Sequence, residues 1–442
     1  MQLTPDGAGD DAGLTARVFA GLDRRLRRDD DRPVALALSG GGDSIALLRL
    51  AAAWAGDRGR PLLALTVDHG LNPRSPDWTR FAGEAARAVG ADWRPLVWAG
   101  EKPTTGLTAV ARSARHRLIA EAARAAGARV VLFAHTADDV AEADLMRAEG
   151  ATLGRVREWS PSPAWPEGRG LLLLRPLLGE RRETLRAWLA DQKADWIEDP
   201  ANVDPRFGRS RARLALAGTA ADIEIGPEVE IGPEIEIGPG IEIGDEATGA
   251  KNARPFRGIS TADDGTVRVS RNVEARALAA ALVCVGGGAT PPRGDRLTRL
   301  LQRLGAGEDF AATLCGARVE ASGGTVVLMR EAGEFVRRPS APVGLAPGVE
   351  AVWDGRFVFL AQTPGWSVVP ARGCLSALSS VDRSRIGALP VGTRGAFPVL
   401  IRDVEAGPVL ADPQIERREL VSERVRLALD ETTHEDDLNA TP

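Results

Sequence analysis

A short apolar run at residues 34–38 leads straight into Ser39-Gly40-Gly41-Gly42-Asp43-Ser44, and an apolar helical pattern at 45–54 leads out. Strand, glycine-rich turn and helix start make a cradle for phosphate. Glycines let the backbone approach the anion, and a helix start offers unpaired N–H groups and the positive end of the dipole. Ser39 and Ser44 add hydroxyls on either side of the turn. Asp43 is out of place in a bare phosphate cradle, since a carboxylate repels phosphate; a bridging Mg²⁺ would reconcile the two. The turn lacks the Gly-Lys-Ser/Thr ending of a Walker A loop and the spacing of a GxGxxG fingerprint.

Strand and helix signals alternate after this turn. An apolar run at 62–67 reads as a buried parallel strand and ends at Asp68-His69-Gly70. A helical pattern at 78–89, a strand at 92–97, a helix at 109–126 and a strand at 129–134 follow, the last ending at His135. Residues 138–149 read as a helix with acids in its first turn. Such alternation implies an α/β fold with a doubly wound parallel sheet. Ligands of such sheets lie at the carboxyl ends of the strands, where the glycine turn, Asp68, His69 and His135 all fall.

Residues 223–246 are four tandem hexads, IEIGPE, VEIGPE, IEIGPG and IEIGDE. Four hexads are too few to stack into a self-burying β-helix, so 218–251 reads as an unstructured acidic linker. It also distorts the overall charge. The net −5 includes nine acids and no base from 222–246; the rest of the chain carries 56 bases against 52 acids. That mild excess is compatible with a nucleic-acid partner. Beyond the linker, helical patterns at 273–286 and 293–305 suggest a small helical module over 252–330. Short strand signals at 325–329, 349–353, 357–361 and 399–402 suggest a small β-rich C-terminal domain over 331–442. Residues 413–429 read as a helix and 433–442 as a frayed tail. Cys284, Cys315 and Cys374 are scattered, which excludes a CxxC, zinc or disulfide framework and suits a reducing cytoplasm. No apolar run approaches a membrane span, and the acidic N-terminus has no signal-peptide pattern.

Three further constellations carry possible chemistry. In Ala134-His135-Thr136-Ala137-Asp138-Asp139-Val140-Ala141-Glu142, Asp138 and Glu142 stand i, i+4 on one helical face, and Asp139 points elsewhere. A histidine beside paired carboxylates could hold Mg²⁺ and triphosphate oxygens; the same residues also suit a solvated helix start favoured by the dipole. Arg112 and Arg115 stand i, i+3 and could clamp phosphate or form a solvated basic face. Residues 198–213 contain Arg206, Arg209, Arg211 and Arg213 with Phe207 among them, a composition suited to a nucleic-acid backbone and a stacked base.

The glycine turn resembles the SGGxDS signature of the PP-loop ATP-pyrophosphatases. The full set resembles bacterial tRNA(Ile)-lysidine synthetases: SGGGDS (39–44), VDHGLNPRS (67–75), AVARSARHR (109–117), AHTADDVAE (134–142), LRPLL (174–178) and EDPANVDPRFGRSRAR (198–213). The resemblance implies a cytoplasmic ligase that uses ATP and Mg²⁺, with residues 1–217 as its PP-loop catalytic domain and 252–330 as a tRNA-binding module. Its substrates would be an isoleucine tRNA with a CAU anticodon and L-lysine, with no membrane and no protein partner. The wobble cytidine would be adenylated at its C2 oxygen, and the lysine ε-amino group would then displace AMP. The resemblance places Ser39, Gly40, Gly41, Gly42, Asp43 and Ser44 on ATP phosphates and Mg²⁺, and Asp68 and His69 beside the nucleotide. It places Arg112 and Arg115 near phosphates or the target nucleotide, and His135, Asp138 and Glu142 at the reaction centre. Asp43, Asp138 and Glu142 would be catalytic, Asp43 and Asp138 would bind metal, and Arg206, Arg209, Arg211 and Arg213 would face tRNA.

The chain departs from the family pattern at Thr136, where a second histidine is usual, at Ala143 in place of Thr, and at His116 in place of Tyr. Two rival readings stay open. One is another PP-loop tRNA-modifying enzyme, which the scattered cysteines oppose for a thiolase. The other is a decayed nucleotide- or tRNA-binding protein, which the retention of Ser39, Asp43, Asp138 and Glu142 opposes.

Overall fold

The computed structural model describes residues 7–103, 105–150, 155–199, 208–218, 258–402, 407–429 and 432–439. They form two units. One comprises the described residues within Met1–Glu234 and Thr432–Pro442, the other those within Ile235–Glu431. The hexad repeats and Arg206 lie outside the described residues.

The first unit opens with α1 (Gly7–Arg25), β1 (Val34–Ala37), α2 (Gly42–Arg58) and β2 (Leu62–Asp68). It continues through α3 (Ser75–Ala88), β3 (Asp92–Val97), α4 (Leu107–Ala125), β4 (Val130–Leu132) and α5 (Ala137–Ala148). Then come β5 (Trp159–Pro161), β6 (Leu172–Leu174), α6 (Arg182–Asp191) and α7 (Gly208–Gly218). The strands form one six-stranded sheet in the order β3-β2-β1-β4-β6-β5. All neighbours are parallel except β5, which runs antiparallel to β6. Ala35 pairs with both Leu63 and Val131, which puts β1 at the centre.

Both faces of strands β1, β2, β4 and β6 are buried, and these strands are accordingly near-continuous apolar runs, whereas the edge strand β3 is largely exposed. Ala35, Leu63, Leu65, Val131 and Leu173 pack on Ile119, Ala120 and Ala123 of α4. By the two-residue pleat, Leu36, Ala64, Leu132, Leu172 and Leu174 point to the opposite face, and they too are buried. The chain leaves β1 toward β2 on one side and returns to β4 on the other. That reversal opens a crevice at the carboxyl ends of β1 and β4, where the glycine turn and His135 sit.

The C-terminal stretch differs from the expected frayed tail. Residues 432–439 dock on the first unit through a buried ion pair. Arg60, just past the end of α2, donates to both oxygens of Glu435 at 2.7 and 3.1 Å, and both side chains are almost fully enclosed. The Arg27 N–H also donates to Glu435 at 2.9 Å. Trp159 Nε1 donates to the Thr432 carbonyl and Arg129 to the Leu438 carbonyl. A tail rich in acids becomes ordered because it supplies the counter-charge to a buried arginine.

The second unit also corrects the expected helical module. The two expected helices are present as α8 (Ala275–Val285) and α9 (Gly294–Gly305). They pack on a five-stranded sheet of β7 (Ile259–Thr261), β8 (Val267–Val269), β9 (Phe310–Leu314), β10 (Ala317–Ser322) and β11 (Thr325–Arg330). Two-residue turns join the last three strands. Cys315-Gly316 has φ of +52° and +75°, the geometry of a tight hairpin turn. Gly323-Gly324 joins Ser322 to its partner Thr325. Two small three-stranded sheets follow, so the expected β-rich character of the later residues is present. Residues 413–429 divide into a strand, Ile415–Glu419, and a helix, Val421–Ala428. The strand forms because residues 415–419 pair antiparallel with 357–361. Among the described residues no helix is long and apolar enough to cross a membrane.

Removing one member of a buried ion pair strands the other. Glu435→Gln should therefore destabilise the first unit by about 3–5 kcal/mol, read as faster hydrogen exchange in β1 and β2. Replacing both Arg60 and Glu435 by apolar residues should recover most of that loss.

Candidate active site

The six-residue turn takes the shape its glycines dictate. Gly40 has φ +86°, a conformation that residues with a Cβ avoid. Its carbonyl accepts from the Ile197 N–H at 2.9 Å, so residues 196–198 brace the loop from outside. Gly41 caps α2 and Gly42 begins it, leaving the first-turn N–H groups for an anion. Ser39 and Ser44 hydroxyls are 3.1 Å apart, and Ser44 also donates to the Gly41 carbonyl at 2.8 Å.

Asp43 leaves the first turn of α2 and meets Arg182, the first residue of α6. Arg182 Nε donates to Asp43 Oδ2 at 3.0 Å, and Nη1 donates to Glu142 Oε1 at 3.0 Å. Nη2 lies 3.6 Å from Asp139 Oδ1, and the Arg182 backbone N–H donates to Asp138 Oδ2 at 2.7 Å. One residue thus gathers all four acids. Burial lowers the Arg182 pKa, but Asp139 and Asp43 outweigh it and hold the guanidinium firmly protonated. Burial raises the Asp43 carboxyl above its ordinary value despite Arg182. Burial also pulls Asp138 upward, but the Arg182 N–H and the Arg181 side chain overcome it and keep Asp138 low.

This geometry changes the expected roles on α5. Both Asp138 oxygens are engaged, by Arg181 and by the Arg182 N–H. Asp139, expected to point away, shares the Arg182 guanidinium with Glu142. The i, i+3 pair Asp139 and Glu142 therefore faces the centre, where i, i+4 spacing had suggested Asp138 and Glu142. Glu142 is 1 % exposed. Its Oε1 accepts from Arg182 and from Arg213 at 2.8 Å, while its Oε2 is buried with no partner among the described residues. An unpartnered buried carboxylate oxygen is costly, so it marks a place where a donor or cation is accommodated.

Thr136 fills the place of the missing histidine with a structural task. Its N–H and hydroxyl both donate to Asp139 Oδ2, at 2.9 and 3.0 Å, which fixes the start of α5. Ala143 is buried in the helix packing. His116 stacks on Phe133 at 5.2 Å, and Phe133 on His135 at 6.0 Å. His135 Nδ1 accepts from Arg175 Nε at 3.0 Å. Burial, then the Arg175 charge, pushes the His135 pKa well below its ordinary value, so the ring is neutral.

A second face is basic. Arg115 of α4 lies over the Phe133 ring at 5.9 Å. Among the described residues it forms no ion pair, and burial, then Arg112 and Arg209, drop its pKa to about 10. Arg209 is within 3.6 Å of Asp139. Arg209 and Arg213, expected to face tRNA, thus turn one side of α7 toward the acids of α5, and among the described arginines of that helix Arg211 is the exposed one. At the end of β2, Asp68 Oδ1 accepts from the Gly70 N–H and the Ser75 hydroxyl. His69 packs edge-on to Trp98, and its Nδ1 is buried without a partner among the described residues. Burial and Arg115 lower the His69 pKa.

Arg175, Arg181, Arg182 and Asp139 are the site residues that sequence reasoning missed. A signal existed for two of them. Arg181 and Arg182 stand at a helix start, where the dipole opposes cations, so their presence there asks for nearby acids.

The donor set suits a hard cation shared with phosphate. Among the described residues no three acid, histidine or cysteine groups are placed to hold a metal by themselves. Mg²⁺ commonly takes one or two carboxylates and completes its shell with phosphates and water. Asp43, beside the phosphate turn, fits that part. Asp138 fits it poorly, because arginine and backbone donors already occupy both of its oxygens.

A family model described as a PP-loop domain matches residues 15–219. Over 423 residues the chain is 44% identical to a tRNA(Ile)-lysidine synthase of Caulobacter vibrioides, covering 93% of this chain and 97% of that one. It is 37% identical to a tRNA(Ile)-lysidine synthase of Hyphomonas neptunium, covering 80% and 95%. Among solved structures, a U34-tRNA thiolase from Methanococcus maripaludis is similar over 48% of this chain and 74% of that one, at 17% identity and a TM-score of 0.41. The extent of the match with the two synthases shows that the chain belongs to the tRNA(Ile)-lysidine synthase family.

Proposed function

We propose that this chain catalyses ATP-dependent formation of lysidine at the wobble cytidine of an isoleucine tRNA with a CAU anticodon. The observation that carries this reading is the pairing of a phosphate turn with a basic wall, in which Arg115 is buried and forms no ion pair among the described residues. In the first step the cytidine C2 oxygen attacks the α-phosphorus of ATP and pyrophosphate leaves. In the second the lysine ε-amine attacks C2, AMP leaves with the oxygen, and the amine proton passes to a base.

The turn at 39–44 holds the triphosphate, with Ser39 and Ser44 as hydroxyl donors. Arg112 and Arg115 hold phosphate oxygens, and Asp68 and His69 border the nucleoside. Mg²⁺, held by Asp43 and the phosphates, would screen the triphosphate charge. Glu142 is the best-placed base, since its free Oε2 is an acceptor in a dry site. Arg182 and Arg213 keep Glu142 in place. Arg211 is the α7 residue assigned to tRNA. The tRNA-binding role expected of residues 252–330 would fall to a sheet with two helices.

The decisive assay is incorporation of labelled lysine into RNA, with ATP, Mg²⁺ and a CAU isoleucine tRNA transcript. A methionine tRNA with the same anticodon serves as control. Label should enter the isoleucine tRNA alone. Pyrophosphate release without label would indicate another PP-loop enzyme, and neither signal a binding protein. Arg182→Met and Glu142→Gln should each lower kcat by about 10²–10³, as loss of a preorganised charged contact does. Asp138→Asn should cost about tenfold or less, because it acts only through Arg181 and the Arg182 backbone.

Asp43 adds a stability test. Its folded-state pKa is raised, so the folded chain binds that proton more tightly than the unfolded chain. Ionisation of Asp43 therefore opposes folding once pH rises above the ordinary Asp value of 3.8. Asp43→Asn should leave the ligand-free protein as stable at pH 7 or more so, by thermal melting, while abolishing pyrophosphate release.

A further inference from the structure

We propose that Arg175 is a positioning residue that fixes His135 as a neutral hydrogen-bond donor, its Nε2–H offered to an acceptor oxygen of the reactants. This rests on the reaction proposed above only for the identity of those reactants. Arg175 follows β6 and is 1 % exposed. It donates from Nε to His135 Nδ1 at 3.0 Å, and from Nη1 to the Arg157 carbonyl at 2.5 Å and the Ser160 hydroxyl at 3.0 Å. Ser160 is itself buried on β5.

An arginine cannot accept a hydrogen bond and does not give up its proton at accessible pH. Nδ1 must therefore be the acceptor, and the neutral ring must carry its one proton on Nε2. The ring plane is fixed independently. His135 lies 7° from parallel to Phe133, whose other neighbour in the stack is His116. A column of three rings and one guanidinium thus sets both the orientation and the tautomer of His135.

Two consequences separate this from the expected role. His135 cannot ligate Mg²⁺, because Nδ1 is occupied and Nε2 bears hydrogen. Nor can it serve as the base for the lysine amine, since its one basic nitrogen faces a permanent cation. What remains is donation, the task of an electrophilic group beside oxygen that gains negative charge. The charged groups that act most on the ring are Arg175, Arg112 and Arg115 of α4, and Arg209 of α7. All four are cations, and all oppose a second proton on the ring.

The chain has four histidines, so its imidazole ¹⁵N spectrum is simple. The set assigned to His135 is the one that disappears in His135→Gln. In the full-length wild type it should show the Nε2–H tautomer and stay neutral from pH 8 to about 5.5, well below the ordinary midpoint near 6.5. In Arg175→Met that set should lose its fixed tautomer and titrate near the ordinary midpoint. The same change should lower kcat at least about tenfold while leaving KM for ATP within about twofold, the pattern of a contact made in the transition state. Arg175→Lys keeps a cationic donor and should restore part of both signals. A wild-type His135 with its proton on Nδ1, or one that titrates normally, would overturn the proposal, as would an unchanged tautomer in Arg175→Met. If Arg175→Met does not fold, the wild-type spectrum decides alone. The spectrum is read without turnover, so a chain that makes no lysidine would refute the reaction and leave the tautomer still to be judged.

Discussion

Four carboxylates converge on one arginine, and the active end of the first unit is organised around that balance. Asp43 comes from the phosphate turn, Asp138, Asp139 and Glu142 from the helix after β4, and Arg182 from the helix after β6. Without Arg182 the acids would repel one another in a poorly solvated crevice. With it they stay close before any substrate arrives. The same contact ties three separate connections of the sheet at one point, so the crevice between β1 and β4 is held by electrostatics as much as by packing. Such a knot is a poor source of net stability, because desolvation of the charges offsets their attraction. Its benefit is geometric: it keeps charged groups aimed where charge must be handled.

The sheet and the position of the crevice were legible because both rest on local signals. Apolar runs bounded by glycine and acid mark β1, β2 and β4, and residues at the ends of parallel strands are the ones that reach a ligand. Asp43, His135 and Glu142 could be named from sequence because each belongs to a motif of contiguous residues. Arg175 and Arg182 could not, since each meets its partner across 40 to 139 residues of chain. Pairing at that separation is a property of the fold. Sequence spacing does not separate the surroundings of Asp138 and Asp139, for a related reason. Helical spacing says which residues share a face, but it does not say which face the partner occupies. Arg182 approaches α5 from the side of Asp139 and Glu142, and its backbone, not its side chain, meets Asp138.

The arginines of α7 show a second limit of composition. Four arginines within eight residues suggest a polyanion, and Arg209 and Arg213 do sit in an electrostatic site, yet the nearest anions are the protein's own acids. The C-terminal tail is the converse case. Its terminal position suggests a frayed end, but Glu435 is the partner that a buried Arg60 requires. In both places charged residues complete an internal pair. The hairpins at Cys315-Gly316 and Gly323-Gly324 differ in kind, because their signal was local: two short turns between β-prone runs.

The departures at Thr136, Ala143 and His116 make sense once the crevice is divided into groups that meet substrate and groups that hold them. Thr136 spends its hydroxyl and N–H on Asp139, so it anchors an acid and has no donor left to act on a reactant. Ala143 is a packing position. His116 is buried with Nε2 unpartnered, and burial, then Arg115 and Arg112, keep it neutral. It serves as a flat ring against Phe133, a task that tyrosine or histidine can fill equally. The three changes therefore fall on the mount. The groups that can meet phosphate, amine or oxygen, which are the turn at 39–44, Arg115, His135 and Glu142, retain the types their chemistry needs. Replacing the mount is tolerable only if the column from His116 through Phe133 to His135 and the cap on Asp139 survive, and in this chain both do.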